Sequence, residues 1–328
     1  MLEFRTAIVE ALAEEMERDE RVFLMGKDVG APGGVFKVTE GLFERFGAGR
    51  VIDTPISELA ITGAAFGSAI TGRRPVIEIM FGDFMALAMD SLVNQAAKWW
   101  FVSNEQTAVP ITVRCAVGAG GRFGAIHSQS PLTWFNGVPG LKVVAPSTPA
   151  TAKALLKSAI RDDAPVVFCE HKRLYSVKGP TGDGVLIPLG RARVAREGSD
   201  VTLVSVMKGV ADCIAAAEQL GGEGISAEVI DLQSLRPLDH ETVIRSLERT
   251  NRLVCVEEGP RTGGWAEGLA GAIGVEALDL VDDIAIIATP PHPVPFSGPL
   301  EDAFLPTVDD IAETVKARLG MAPARELA

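Results

Sequence analysis

Short apolar runs alternate with longer stretches of helical periodicity along the whole chain, and this pattern constrains the fold most. Val22-Phe23-Leu24-Met25, Val51-Ile52, Pro75 to Met80, Val109 to Cys115, Leu141 to Val144 and Val166 to Glu170 read as short buried strands. Between them, residues 4–18, 57–72, 84–101 and 149–160 read as helices. The second half repeats the scheme, with strands expected at 201–206, 226–230, 252–256 and 284–288 and helices at 208–220, 239–249, 264–273 and 308–318. Apolar runs of this length, separated by helices, predict an α/β protein with mostly parallel sheets. The 328 residues suffice for two full cores. Gly and Pro without periodicity around 176–190 mark a break. The expected division is a domain over 1–180, a linker at 181–190, a smaller domain over 191–320 and a loose tail at 321–328.

A formal charge of −12 argues against nucleic acid or an anionic membrane as partner, because either would repel the chain. No apolar run reaches membrane-spanning length, and the first residues, Met1-Leu2-Glu3-Phe4-Arg5, resemble neither a signal nor a transit peptide. Cys115, Cys169, Cys213 and Cys255 lie far apart in sequence without metal-ligand spacing, which suits reduced thiols in a cytoplasmic protein.

Within this frame, Val51-Ile52-Asp53-Thr54-Pro55-Ile56-Ser57-Glu58 stands out. Thr54 precedes a proline and is disfavoured as helix, so a strand must turn there. Ser57 offers an N-cap, and Glu58 falls in the first turn of a helix rich in small apolar residues. The helix dipole favours charge on that carboxyl, while Ile56, Leu59 and Ile61 favour its protonated form. Spacing alone also fits an exposed first-turn glutamate.

Two glycine patterns fail as phosphate sites. Gly118-x-Gly120 lacks the third glycine of the dinucleotide fingerprint, since position 123 is Phe123. Gly182-Asp183-Gly184 opens like a thiamine diphosphate–magnesium motif, but the next Asn is Asn251, so the triplet reads as a turn in the linker.

Several longer motifs occur together. They are Gly33-Gly34-Val35-Phe36-Lys37-Val38-Thr39, the segment Asp53 to Glu58, and His127-Ser128-Gln129-Ser130. Pro139 to Val144, Leu235-Arg236-Pro237-Leu238-Asp239 and Leu300 to Pro306 follow in order. In these the chain resembles the β subunit of the thiamine-diphosphate-dependent E1 component of 2-oxoacid dehydrogenase complexes, which includes the pyruvate, branched-chain and acetoin enzymes. The likeness covers nearly the whole chain. It implies a transketolase-like pyrimidine-binding domain followed by a transketolase C-terminal-type domain.

The resemblance also implies half of an active site. An α subunit would hold the diphosphate and its Mg²⁺ in an α₂β₂ heterotetramer, and the β chain would hold the aminopyrimidine. Glu58 would be the carboxyl that bonds the pyrimidine ring, with Phe84 against its face and Ile56 beside it. His127 would orient substrate or move a proton when the acyl unit of a 2-oxoacid passes to the lipoamide of an E2 core. His171, His240 and His292 carry no such implication. A potassium ion held by the carbonyls of Ile111, Ala159, Ile160, Asp162 and Ala164 is implied by relatives alone. Small residues Ala60, Gly63, Ala64, Gly67 and Ser68 on one helix face, with Trp99, Trp100 and Trp134, would suit subunit contacts.

Met207-Lys208-Gly209 and His292 differ from the common family versions, and Lys27 departs most: it stands where relatives usually carry Glu, and could pair with Asp28, Glu58 or a partner carboxylate. Acetoin dehydrogenase β subunit, half of a split transketolase and a non-catalytic assembly module are the alternative readings.

Overall fold

A computed structural model describes residues 1–182 and 185–321 of the chain. The expected linker thus includes two residues, Asp183 and Gly184, outside the described set, and the expected loose tail lies outside it from residue 322 onward. The chain forms two compact units. One comprises Met1–Val117 with Trp134–Leu189, and the other comprises Gly118–Thr133 with Gly190–Ala328.

The first unit holds six parallel strands in the order Lys142–Val144, Val166–His171, Thr112–Val117, Arg74–Ile79, Val22–Gly26 and Val51–Asp53. Val22–Gly26, Thr112–Val117 and Val166–His171 are buried at every position, as strands covered on both faces must be. Leu2–Glu3 pairs antiparallel with Lys178–Gly179, so part of the stretch read as irregular from residue 176 is a short strand. The helix Phe4–Arg18 buries Phe4, Ile8, Ala11 and Leu12. It is joined to the helix Pro149–Arg161 by ion pairs of Lys153 with Glu10, Lys157 with Glu14 and Arg161 with Glu15.

The second unit has a five-stranded sheet ordered Asp283–Thr289, Arg252–Pro260, Val201–Ser205, Ala227–Asp231 and Arg193–Arg196. The first four strands are parallel. The last, Arg193–Arg196, is antiparallel and was not anticipated, because its polar ends hide the apolar pattern. On the helix Lys208–Gly221, Val210, Cys213, Ala217 and Leu220 point inward at helical spacing and pack on Val201, Leu203 and Val229.

The expected helix over 84–101 is interrupted. A 3₁₀ turn at Gly82–Phe84 leads into Met85–Met89, a π-helical segment at Asp90–Ala96 and a last helix at Ala97–Val102. Asp90 accepts from Asn94 and from Gln95, four and five residues on, which supports the wider turn. Helices at Leu42–Phe46, Thr133–Asn136 and Gly298–Phe304 are too short for periodicity to reveal.

All four cysteines are free and buried. Although distant in sequence, Cys115 and Cys169 sit opposite each other on paired strands, with Sγ atoms 3.9 Å apart. Burial raises Cys213 and Cys255, while for Cys115 the neighbouring thiol leads and burial adds. Such thiols are poor nucleophiles.

Candidate active site

The strand Val51–Asp53 ends beside a glycine-rich loop. Asp53 Oδ1 accepts from Gly30 N at 2.9 Å, and Thr54 N donates to Gly26 O at 2.9 Å. A side chain at residue 30 would sit 2.4 Å from the Asp53 carboxylate, so only glycine allows this approach. Gly33 and Gly34 take positive φ, and Thr39 Oγ1 closes the loop on Val29 O at 2.9 Å. Lys27 ion-pairs with Asp28, the first of the partners considered for it.

The helix Glu58–Ile70 then begins. Ser57 occupies the N-cap position but its side chain makes no capping bond, contrary to expectation. Its carbonyl accepts from Ile61 N at 2.9 Å. Glu58 is 8% exposed, and among the described residues its carboxylate has no hydrogen-bond or ion-pair partner. Thr54 Oγ1, four residues earlier, is also buried and unpartnered among the described residues. Each is thus left with bonding capacity for a polar group from outside the described residues. The apolar neighbours behave differently from one another. Ile61 is buried, but Ile56 is 72% and Leu59 54% exposed, so neither covers the carboxyl within this chain.

Phe84 ends the 3₁₀ turn, its ring edge-on to Phe81 at 5.8 Å. Phe81 packs in turn on Phe36, which stacks on Tyr175. Phe84 itself is half-buried at the end of this row. Glu58, Ile56 and Phe84 all belong to the first unit, and His127 belongs to the second.

His127 lies in the loop that failed as a nucleotide fingerprint. The backbone explains the resemblance: Gly118, Gly120, Arg122 and Gly124 take positive φ, and the amides turn toward anions supplied by the protein itself. Ala119 N donates to Glu258, and Gly120 N and Arg122 N donate to Glu301. Ser128, next to His127, is buried with its hydroxyl unpartnered among the described residues. Glu301 falls in the Leu300–Pro306 motif, but nothing in the sequence joined it with Glu258 and Arg122, because the two glutamates lie well over a hundred residues from the loop. Of the Gly182-Asp183-Gly184 triplet, only Gly182 lies among the described residues.

The remaining histidines take structural parts. His171 Nδ1 accepts from Arg173 N, His240 faces Glu276, and His292 packs on Phe304.

The carbonyls implied for potassium are largely engaged. Ile160 O and Asp162 O accept from Arg74 at 3.0 and 3.1 Å, Ala159 O from Asp162 N, and Ile111 O from Val166 N. A potassium ion would have to share two of these oxygens with a guanidinium and two with backbone amides.

Two surfaces stay open. On the helix Glu58–Ile70, Ile61, Thr62, Ala65 and Ala69 are buried while Ala60 and Ala64 face outward. Farther along, an apolar groove of about 720 Å³ is lined by Ala96, Trp100, Phe101, Val109, Pro139 and Pro165, and Phe101 is 86% exposed. Trp99 instead packs edge-on against Phe66 at 5.4 Å. Among the described residues no helix is long and apolar enough to cross a membrane, and no cluster of His, Cys, Asp and Glu could hold a metal ion.

Residues 1–178 match the family model "Transketolase, pyrimidine binding domain", and residues 190–311 match "Transketolase, C-terminal domain". The chain is 45% identical over 328 residues to the acetoin:2,6-dichlorophenolindophenol oxidoreductase subunit beta of Bacillus subtilis, covering 96% of each. It is 44% identical to the pyruvate dehydrogenase E1 component subunit beta of Rhizobium meliloti, covering 95% of this chain and 69% of that one. It is 42% identical to the 2-oxoisovalerate dehydrogenase subunit beta of Bacillus subtilis, covering 96% and 98%. A solved structure described as a split-gene transketolase, inactive beta4 tetramer, superposes with a TM-score of 0.80 at 23% identity, covering 97% and 98%, which shows the fold. The chain therefore belongs to the family of E1-component β subunits of 2-oxoacid dehydrogenase complexes, oxidoreductase subunits built from a transketolase pyrimidine-binding domain and a transketolase C-terminal domain.

Proposed function

We propose that this chain is the β subunit of a thiamine-diphosphate-dependent E1 enzyme that works with an α subunit in an α₂β₂ assembly. The observation that carries this reading is Glu58, only 8% exposed at the start of a helix and with no partner for its carboxylate among the described residues, in a chain of this family. Thiamine diphosphate, when bound, supplies the nucleophilic carbon and electron sink for decarboxylating a 2-oxoacid. Glu58 bonds the aminopyrimidine ring and holds the proton it shares with it. Phe84 offers its ring face to the same heterocycle, and Ile56 covers it from the turn. His127 orients the substrate or moves a proton as the acyl unit passes to the lipoamide of E2. The diphosphate and Mg²⁺ fall to the α subunit by family likeness, and three amides of the glycine loop here, those of Ala119, Gly120 and Arg122, are already bonded to Glu258 and Glu301. Potassium at the Ile111, Ala159, Ile160, Asp162 and Ala164 carbonyls carries no step here. The four buried thiols fit the reducing cytosol.

The substrate is pyruvate, a branched-chain 2-oxoacid or acetoin, as the relatives' names span all three. The chain is to be co-expressed with its α partner and assayed on that panel, with 2,6-dichlorophenolindophenol as electron acceptor. The chain alone should be inactive. Glu58→Gln in the assembled complex should cost at least about 100-fold in turnover, as loss of a positioned proton-transfer group does. Unchanged turnover would instead favour a non-catalytic assembly role.

A further inference from the structure

The loop carrying His127 is fastened by carboxylates of its own unit. Gly118 N donates to Gln129 O at 3.1 Å, closing the loop's two ends on each other. Glu258 Oε1 reinforces that closure, accepting from Ala119 N at 2.6 Å and from the Ser130 hydroxyl at 3.4 Å. Glu301 fastens the outgoing arm. It is fully buried and accepts from Gly120 N at 2.8 Å, Arg122 N at 3.1 Å and Arg122 Nη1 at 2.8 Å. The Arg122 guanidinium also donates to Gly298 O at 2.8 Å and, through Nη2, to both oxygens of Asp302 at 2.7 and 2.8 Å. Between these fastenings His127 N donates back to Gly124 O at 3.4 Å.

A buried carboxylate that accepts three N–H bonds does more than fill space. Charge-assisted bonds are short and directional, so each fixes a position of the loop backbone. Gly120 and Arg122 both take positive φ, a conformation that a released loop would leave. With residues 118–122 fastened on one side and Gln129 and Ser130 on the other, the backbone that carries the imidazole runs between two fixed points. Asp302 adds a second carboxylate on the exposed side of Arg122, and the fork geometry lets one guanidinium serve both.

We propose that Glu301 and Arg122, with Asp302 behind them, are positioning residues for His127, setting the imidazole for its part in the reaction. This rests on the reading of His127 given above. Neither residue is asked to touch the substrate. Their effect is to hold a reacting group within the narrow range that turnover requires.

The test uses the assembled complex and the full chain. In Arg122→Ala, deuterium exchange of the loop amides should rise at least about tenfold, as a loop losing a local anchor opens more often. Turnover should fall about 10- to 100-fold, the cost of a misplaced group, with KM for thiamine diphosphate unchanged. Arg122→Lys, which keeps the charge but cannot bond both carboxylates, should recover part of that loss. Glu301→Gln should behave like Arg122→Ala. If it fails to fold, the arginine variants still decide. Because the latch acts through His127, adding Arg122→Ala to His127→Ala should cost nothing further. If His127→Ala keeps full activity, the functional reading fails and the positioning role falls with it. If His127→Ala is slow but Arg122→Ala is as fast as wild type, or their costs add in full, the positioning role alone is overturned.

Discussion

Arg114 Nη1 donates to the Glu78 carboxylate at 2.9 Å from the directly opposite position on the neighbouring strand. The same guanidinium grips Glu170 with two bonds, at 2.7 and 2.9 Å, and Tyr175 adds its hydroxyl to Glu170 at 3.0 Å. Two buried carboxylates thus share one buried cation beneath the aromatic row that ends at Phe84. Burial pushes the Glu78 carboxyl up, with Arg114 opposing. Burial works against the charge on Arg114, but Glu170 and Glu78 outweigh it and hold the guanidinium above its ordinary value. Removing the cation would strand two acids in the sheet. Arg114→Met should therefore cost about 3–5 kcal/mol, as breaking a buried pair from one side does. Glu78→Gln removes only the less well paired acid and should cost less than about 1 kcal/mol. Urea denaturation of the two variants checks both, and the reverse order would contradict this account.

Glu257 governs a pH dependence in the second unit. It is buried and accepts from Trp265 N at 3.1 Å and Ala266 N at 2.9 Å. Burial pushes its carboxyl up to about 7, against those two amides, with the charge of Glu267 adding to the rise. An acid raised on folding binds its proton more tightly in the folded chain. Its contribution is full below the ordinary value of 4.5 and is lost as pH climbs toward 7. Over that window the difference amounts to about 3 kcal/mol. Glu257→Gln cannot titrate, so wild type should lose stability relative to the variant by that order between pH 4.5 and 7.5. Parallel stability–pH curves for the two proteins would rule this out.

How far the sequence reached depends on how local the determining contacts are. The strands Val22–Gly26 and Val201–Ser205 were legible because every side chain is apolar or small and every position is buried. The place of Glu58 at a helix start was legible from the Thr-Pro turn and Ser57, and its role as a candidate came only from the resemblance carried by Asp53 to Glu58. Its missing partner was not legible, since a hydrogen bond that is not made leaves no trace in composition. Ile56 and Leu59 were expected to shield the carboxyl, and their exposure depends on three-dimensional placement. The π segment at Asp90–Ala96 follows from one acid reaching two amides, a choice that periodicity does not encode. The carboxylates holding the His127 loop were hidden by distance: Gly120 and Glu301 are 181 residues apart. For the same reason Cys115 and Cys169 looked unrelated until their strands paired.

The outward face of the helix Glu58–Ile70 separates a subunit contact from an ordinary surface. Small residues on a helix have two uses: packing on the chain's own sheet or admitting another helix closely. The first is already served by Ile61, Ala65 and Ala69 on the opposite face. A Cβ at Gly67 would meet nothing within 4 Å, and one at Gly63 only Ser91 Oγ at 3.6 Å. Nothing among the described residues therefore requires glycine at 67, and a helix interior disfavours it. Gly67→Ala should raise the stability of the isolated chain by about 0.5–1 kcal/mol through the reduced entropy of the unfolded state. Gly67→Leu should leave the isolated chain folded yet hold a partner helix away, since interaxial distance follows side-chain size at the crossing. Sedimentation of each variant with the α subunit reads the outcome: assembly lost with Leu and weakened with Ala. If Gly67→Leu assembles like wild type, this face lies outside the subunit contact, and the exposed groove at Trp100 and Phe101 becomes the surface through which the chain meets its partner.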